Sequence, residues 1–229
     1  NIGKKFVFYT GGDDWRKNIT GLMEAFSILP YSLREFYQLV ITCKMLPERV
    51  DYYMKMASQL GIAEKCIFTN YVSNEELHSL YSLCTLFAFP SLYEGFGLPV
   101  AEAMACGAPV IASGSSSLPE VLGDAGILLE NESVECLSKE MCRVLTDDQL
   151  LKEMSSLSRE QSKEFTWGKV AGRVFEVYEH LGPAKTPSFN FRRIKSGEVK
   201  PRISLFSPLN PIKSDISDYT EDLLLHLAN

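Results

Sequence analysis

The chain has 229 residues, 45% hydrophobic and 23% charged, and carries a net charge of −6 from 29 acidic against 23 basic side chains. That is the balance of an ordinary soluble globular protein, one large domain or one domain with extensions, and it excludes a disordered or fibrous chain. A net negative chain has no global attraction for nucleic acid or an anionic membrane, so a bound anion must be held by local groups.

Short apolar runs recur in chain order: KFVFYT from Lys5, YQLVITC from Tyr37, CIFTN from Cys66, LFAFP from Leu86, PVIA from Pro109 and GILL from Gly126. Amphipathic stretches separate most of them, the pattern of a parallel sheet wrapped by helices. The runs lack the alternation of a half-exposed strand, as expected where helices cover both faces. The expected fold class is therefore α/β, a Rossmann-like, doubly wound parallel sheet. Asn18 is placed to cap a helix carrying Leu22, Ala25, Phe26 and Leu29, and Asn74 to open one carrying Leu77, Leu80 and Tyr81. Leu137, Met141, Val144 and Leu145 form a later stripe, and Val170, Val174, Val177 and Leu181 form another.

After Leu181 the segment 182–200 has Pro, Gly, Ser and basic residues without a period and reads as a linker between a domain over 1–181 and whatever follows. Residues 201–229 read as one strand, a Pro-containing loop and one helix, the opening of a further α/β unit. No apolar run approaches the ~20 residues that cross a bilayer, and no signal peptide is visible, so a cytoplasmic location is expected. The six cysteines (Cys43, Cys66, Cys84, Cys106, Cys136 and Cys142) show no CxxC pairing and read as reduced thiols.

Ligands of open α/β sheets sit beyond the carboxyl ends of the strands, which directs attention to two loops. In TGGDDWRKN, residues 10–18, Gly11 and Gly12 permit a tight turn, while Arg16 and Lys17 lie at a helix N-terminus whose dipole disfavours positive charge. A bound anion would remove that conflict; alternatively Asp13 and Asp14 neutralise the pair in a solvated loop. In SLYEGFGLPVAEAMACG, Gly95 and Gly97 leave backbone amides accessible, and a helix starting near Leu98 or Pro99 aims free N–H groups forward. Glu94 and Glu102 cannot share one helical face, but their carboxylates can bracket a ligand and accept paired hydrogen bonds from vicinal diols. The bland alternative is that acids near a helix start are simply favoured by its dipole.

PSLYEGFGLPVAEAMACGAPVIAS, residues 90–113, resembles the signature of the retaining glycosyltransferases of the GT-B fold, the large family 4 type. The resemblance extends to the GG and RKN near the start, NYVSNEELHSLYSLC at 70–84, SSSLPEVLGDAGILL at 115–129 and FTWGKVAGRVFEVYEHL at 165–181. It implies the C-terminal, nucleotide-sugar-binding half of a GT-B fold. Carried over residue by residue, it gives Glu94 and the amides of Gly95, Phe96 and Gly97 to the donor sugar. Leu98 and Val100 go to the diphosphate, Glu102 to the ribose hydroxyls, and the backbone of Tyr71 and Val72 to the base. Arg16 and Lys17 match the basic pair that stabilises the leaving diphosphate, with Gly11 and Gly12 beside them.

Many relatives carry an arginine where Gly12 stands, a departure that bears on the role of Arg16. Glu120 is implied as a structural or donor-side residue. No metal and no cofactor beyond the nucleotide diphosphate sugar is expected, and the RKN and SPL segments favour GDP-mannose as donor. A glycan or lipid-linked acceptor is implied to bind an N-terminal domain preceding this chain. The chain alone is therefore expected to bind donor and transfer sugar poorly, with room for peripheral membrane association of the full-length protein. The tail resembles the opening of another acceptor domain, from which Asn210 and Asp215 depart.

Three other readings compete. GFGLPV approximates a dinucleotide fingerprint, but Val100 stands at the third small position and Pro99 intrudes. Ser115, Ser116 and Ser117 do not form the G-x-S-x-G of a hydrolase, and His78, His180 and His226 lie in helical stretches. A non-catalytic binding or scaffolding module is the remaining alternative, against which Glu94, Glu102 and Lys17 speak.

Overall fold

A computed structural model describes residues 2–3, 5–131 and 133–181. The chain divides into two compact units, 1–164 and 165–229. The linker expected over 182–200, the further unit expected over 201–229 and the helix expected around His226 lie outside the described residues.

All six apolar runs form strands: β1 (Lys5–Thr10), β2 (Tyr37–Thr42), β3 (Cys66–Phe68), β4 (Leu86–Phe89), β5 (Val110–Ser113) and β6 (Ile127–Leu129). They pair in parallel in the order β3-β2-β1-β4-β5-β6. The unbroken apolar composition follows from burial on both faces: Val7 to Tyr9, Leu39 to Ile41, Leu86 to Phe89 and Val110 to Ala112 are all shielded from solvent. Each large side chain so buried contributes about 1.5–3 kcal/mol.

Helices fill the connections. Between β1 and β2 lie α1 (Ile19–Ser27) and α2 (Tyr31–Phe36), and α3 (Pro47–Gln59) joins β2 to β3. Then α4 (Asn74–Leu83) carries the chain from β3 to β4, α5 (Leu98–Ala105) from β4 to β5 and α6 (Leu118–Leu122) from β5 to β6. The first unit ends with α7 (Val134–Leu145) and α8 (Asp148–Ser162), and α9 (Trp167–Leu181) lies in the second unit. Among the described residues no helix is long and apolar enough to cross a membrane.

Two of the expected stripes are core. Leu22, Ala25, Phe26 and Leu29 of the α1 segment are buried, as are Leu137, Met141, Val144 and Leu145 of α7. Helix α4 buries Leu80 and Tyr81 with Leu77 only partly covered, but the stripe expected on α9 is not core: Val170 and Val177 are 39% and 58% exposed and Val174 is only half-buried. Asn18 caps α1 as expected, accepting from the Gly21 amide at 3.2 Å. Helix α4 opens at Asn74 as expected, and Ser73 just before it supplies the cap: the Ser73 hydroxyl accepts from the Glu76 amide at 3.2 Å while the Glu76 carboxylate accepts from the Ser73 amide at 2.8 Å. A cap at Asn74 would put Leu77 in the third position and forfeit that reciprocity. Among the cysteines, Cys43, Cys66 and Cys84 are buried and the other three partly so, all as free thiols.

Strand order reverses between β1 and β4, which are neighbours through the pairs Val7–Leu86 and Phe8–Phe87. The helices after these two strands lead away in opposite directions, so the loops at their carboxyl ends part and leave a crevice.

Candidate functional site

The crevice floor is aromatic. Tyr9 of β1 stacks on Phe89 of β4, ring centroids 5.9 Å apart, and the Tyr9 hydroxyl donates to the Gly12 carbonyl at 3.2 Å. A side chain on Gly11 would meet that hydroxyl at 2.8 Å, so the first loop lies flat on the floor only because Gly11 has none. Burial raises the Tyr9 pKa well above the ordinary phenol value and keeps it a neutral donor.

The two loops are sewn together over this floor. The carbonyl of Arg16 accepts from the Leu92 amide at 2.6 Å and from the Ser91 hydroxyl at 3.2 Å. A single 3-10 turn, Trp15–Lys17, then turns Lys17 inward, and its ammonium meets the Glu94 carboxylate at 2.6 Å. Both side chains are largely buried, 18% and 11% exposed, and the ammonium stands 6.0 Å over the Phe89 ring. Charges 77 residues apart in sequence thus meet at the switch point.

The other charges of the first loop go elsewhere. Asp14 pairs with Arg16 at 2.7 Å, and this hydrogen bond lowers the Asp14 pKa. Asp13 does not neutralise the Arg16–Lys17 pair: its carboxylate takes two hydrogen bonds from Arg49 of α3, at 2.7 and 2.9 Å, and one from the Tyr53 hydroxyl at 2.7 Å. Those bonds, Arg49 foremost, hold its pKa below the usual carboxylate range. Arg49 was not singled out in the sequence because its pairing crosses from one loop to the next helix.

Beyond Glu94 the main chain turns sharply. Gly97 has φ +98° and caps α5 without a side chain, and an added Cβ would lie 2.6 Å from Leu118 Cδ2. The amides of Gly95 and Leu98 have no protein partner among the described residues, whereas the Val100 amide donates to the Gly97 carbonyl at 2.9 Å. Pro99 has no N–H, so Leu98 carries the outward-facing amide of this first turn. Further along α5, Glu102 accepts from the Tyr81 hydroxyl of α4 at 2.9 Å. Glu102 remains open to solvent as a residue, yet desolvation of its carboxyl raises its pKa, with the Tyr81 hydrogen bond opposing. Glu120 is exposed in the first turn of α6.

Tyr71 and Val72 lie in the β3–α4 loop, and Tyr71 is 75% exposed. They line a groove of about 920 Å³ that runs along α4 past Leu80 and Leu83 to Phe6. Its walls do not include Lys17, Glu94 or Glu102. The chemistry-bearing groups are at the switch point, so the groove is not the centre of the site.

Sequence reasoning passed over Ser115, Ser116 and Ser117, weighing them only as nucleophiles. Their hydroxyls bond the main chain of the Glu94 loop. A run of three small hydroxyl residues directly after a strand exit at the same sheet edge was the available signal.

A cation–carboxylate pair and two amides without a protein partner among the described residues thus lie at the reversal point of a parallel sheet, the place where open α/β domains receive their ligands. The chain belongs to the glycosyl transferases group 1 family, whose model matches residues 1–161, and its sheet is the Rossmann-like half of a GT-B fold. It is 38% identical over 182 residues to the serotype-specific mannosyltransferase WbdA of Escherichia coli, covering 79% of this chain and 22% of that protein. To the O-antigen chain mannosyltransferase B of Escherichia coli it is 36% identical over 177 residues, covering 77% of this chain and 46% of the other. Among solved structures it resembles sucrose-phosphate synthase from Thermosynechococcus elongatus, with a TM-score of 0.70, 26% identity, and coverage of 79% of this chain and 46% of that one. The chain therefore spans between about a fifth and a half of these relatives, 22% to 46% of their length.

Proposed function

We propose that this chain is the donor-binding domain of a retaining hexosyltransferase that uses a nucleotide diphosphate sugar, with GDP-mannose the favoured donor. The observation that carries the reading is the Lys17–Glu94 pair at 2.6 Å beside the amides of Gly95 and Leu98, which have no protein partner among the described residues. The mannosyltransferase names of the two Escherichia coli relatives support the choice of sugar.

In transfer, the bond between the anomeric carbon and the diphosphate oxygen breaks and its electron pair stays on the diphosphate, while an acceptor hydroxyl supplies the new bond and releases its proton. Fixed cations and aligned amides stabilise the departing charge. Lys17 takes that role with the Leu98 amide, in place of a metal. Arg16 contributes at the rim, since Asp14 already holds its guanidinium. Glu94, with the main chain of Gly95, Phe96 and Gly97, faces the hexose. Glu102 accepts from the ribose diol, and the Tyr71–Val72 main chain borders the base. The acceptor, a glycan or lipid-linked chain, is assigned to an N-terminal domain of the whole protein.

A second reading, a non-catalytic nucleotide-sugar-binding module, is favoured by Arg16 being tied to Asp14, with Gly12 standing where the family resemblance implies an arginine. Calorimetric titration with GDP-mannose, UDP-glucose and NAD tests the binding shared by both readings: a nucleotide sugar is expected to bind and Lys17→Met to abolish it. NAD binding alone, or no binding at all, refutes the proposal. Sugar transfer by the whole protein, lost in its Lys17→Met variant, separates the enzyme from the module.

A further inference from the structure

We infer that Ser116 is a positioning residue of the donor site, holding the Glu94 peptide in the one conformation that sends its carboxylate to Lys17. The inference rests on the donor-site reading above and adds a residue to it. From β5 the chain passes through Gly114 into Ser115, Ser116 and Ser117 before α6 begins. Ser115 donates to the carbonyls of Ser91 and Leu92 at 3.3 and 3.1 Å, and Ser117 to those of Glu94 and Phe96 at 3.2 and 2.8 Å. The Ser116 hydroxyl accepts from the Glu94 amide at 2.9 Å. Both main-chain polar groups of Glu94 are thus satisfied by neighbouring serines of one distant loop, and neither by the loop that contains Glu94.

The backbone at Ser116 marks the arrangement as costly. Its φ is +52°, in the left-handed region where a side chain is strained and glycine is not. Such strain persists only where the surroundings over-determine it. Here the residue that bears the strain is also the one whose hydroxyl receives the Glu94 amide. A glycine would relax the backbone and lose the bond; an alanine would keep the strain and lose the bond as well.

That difference makes the role measurable. Ser116→Gly is expected to melt within about 2 °C of the parent or above it, because relief of strain offsets one lost hydrogen bond. It is also expected to bind the nucleotide sugar about 5- to 10-fold more weakly, because the Glu94 peptide is no longer held. Ser116→Ala is expected to lose both thermal stability and affinity. Hydrogen exchange at the Glu94 amide reads the positioning without any ligand and is expected to quicken at least about tenfold in Ser116→Gly as its bonded state is lost.

A merely structural serine predicts affinity that follows melting temperature across the two variants. That result, an unchanged affinity in Ser116→Gly, or an unchanged Glu94 exchange rate overturns the inference. If the parent chain binds no nucleotide sugar, the donor-site reading fails, and with it the donor role assigned to Ser116, whatever the exchange rate shows about its hold on Glu94.

Discussion

Replacing Glu94 by glutamine separates the two halves of the donor. The Lys17 ammonium lies 2.6 Å from the carboxylate, with side chains 18% and 11% exposed. At that separation two unit charges attract by about 6 kcal/mol at an effective dielectric constant near 20, most of it offset by the water both have lost. Removing one partner of a fully buried pair costs about 3–5 kcal/mol, so Glu94→Gln, in a pair that keeps some solvent, is expected to lose about 2–3 kcal/mol of stability in urea unfolding.

The same change frees Lys17. A nucleoside diphosphate without sugar no longer competes with Glu94 for the ammonium and is expected to bind about 5- to 30-fold more tightly, a gain of about 1–2 kcal/mol. The nucleotide sugar meets the same freed ammonium but loses the Glu94 contact to its hexose, so its advantage over the bare diphosphate should shrink or reverse. Calorimetry with both ligands on parent and variant reads the ratio, and Lys17→Met should erase the gain. A variant that binds the bare diphosphate no better than the parent refutes the reasoning, because Glu94 would then not be holding Lys17 back from the phosphates.

Two further outcomes follow from the geometry around α5. Gly97→Ala forces a side chain into φ +98° and against the fully buried Leu118, a cost of about 2–4 kcal/mol. Calorimetric melting should drop by about 5–15 °C at this domain size, and a drop below about 2 °C would contradict the contact. For Glu102, desolvation raises the pKa and the Tyr81 hydroxyl opposes it, so donor binding that needs the carboxylate is lost as pH falls through that raised value. Tyr81→Phe removes the opposing hydrogen bond and moves the loss to higher pH, which affinity measured from about pH 5 to 8 would show. A profile that stays in place would remove Glu102 from the ribose.

The sheet was readable because double-sided burial writes itself as unbroken apolar runs: Leu86 to Phe89 is a strand in any context that hides both faces. What escaped was either short or non-local. Residues 31–36 form α2 without burying a single side chain, so no stripe announced it. The site was half legible. The loops and their chemistry-bearing residues could be found from glycines, carboxylates and cations near strand ends, but pairing could not. Whether Asp13 meets Lys17 or Arg49, and whether Glu94 faces solvent or an ammonium, depends on how loops after β1 and β4 and the start of α3 converge in space. The serines escaped because sequence reasoning asked what their hydroxyls attack and not which amide they hold.

On the donor-site reading, the sorting of charges accounts for how a chain of net charge −6 would hold an anion. The loop Gly11–Lys17 carries two acids and two bases, formally neutral. Asp13 is drawn off to Arg49, and Asp14 keeps Arg16 within the loop. Lys17 is left to the opposite loop, where it pairs with Glu94. On the donor-site reading, entry of a ligand is an exchange rather than an addition. A phosphate that takes Lys17 leaves Glu94 as a nearly buried carboxylate without a partner, a state that costs several kcal/mol unless something donates to it. Inorganic phosphate or a bare nucleoside diphosphate offers nothing there. A nucleotide sugar offers a hexose hydroxyl at the position next to its diphosphate, so it satisfies both halves of the pair it breaks. The ion pair thereby selects for the whole donor over its own by-product, with no long-range field required.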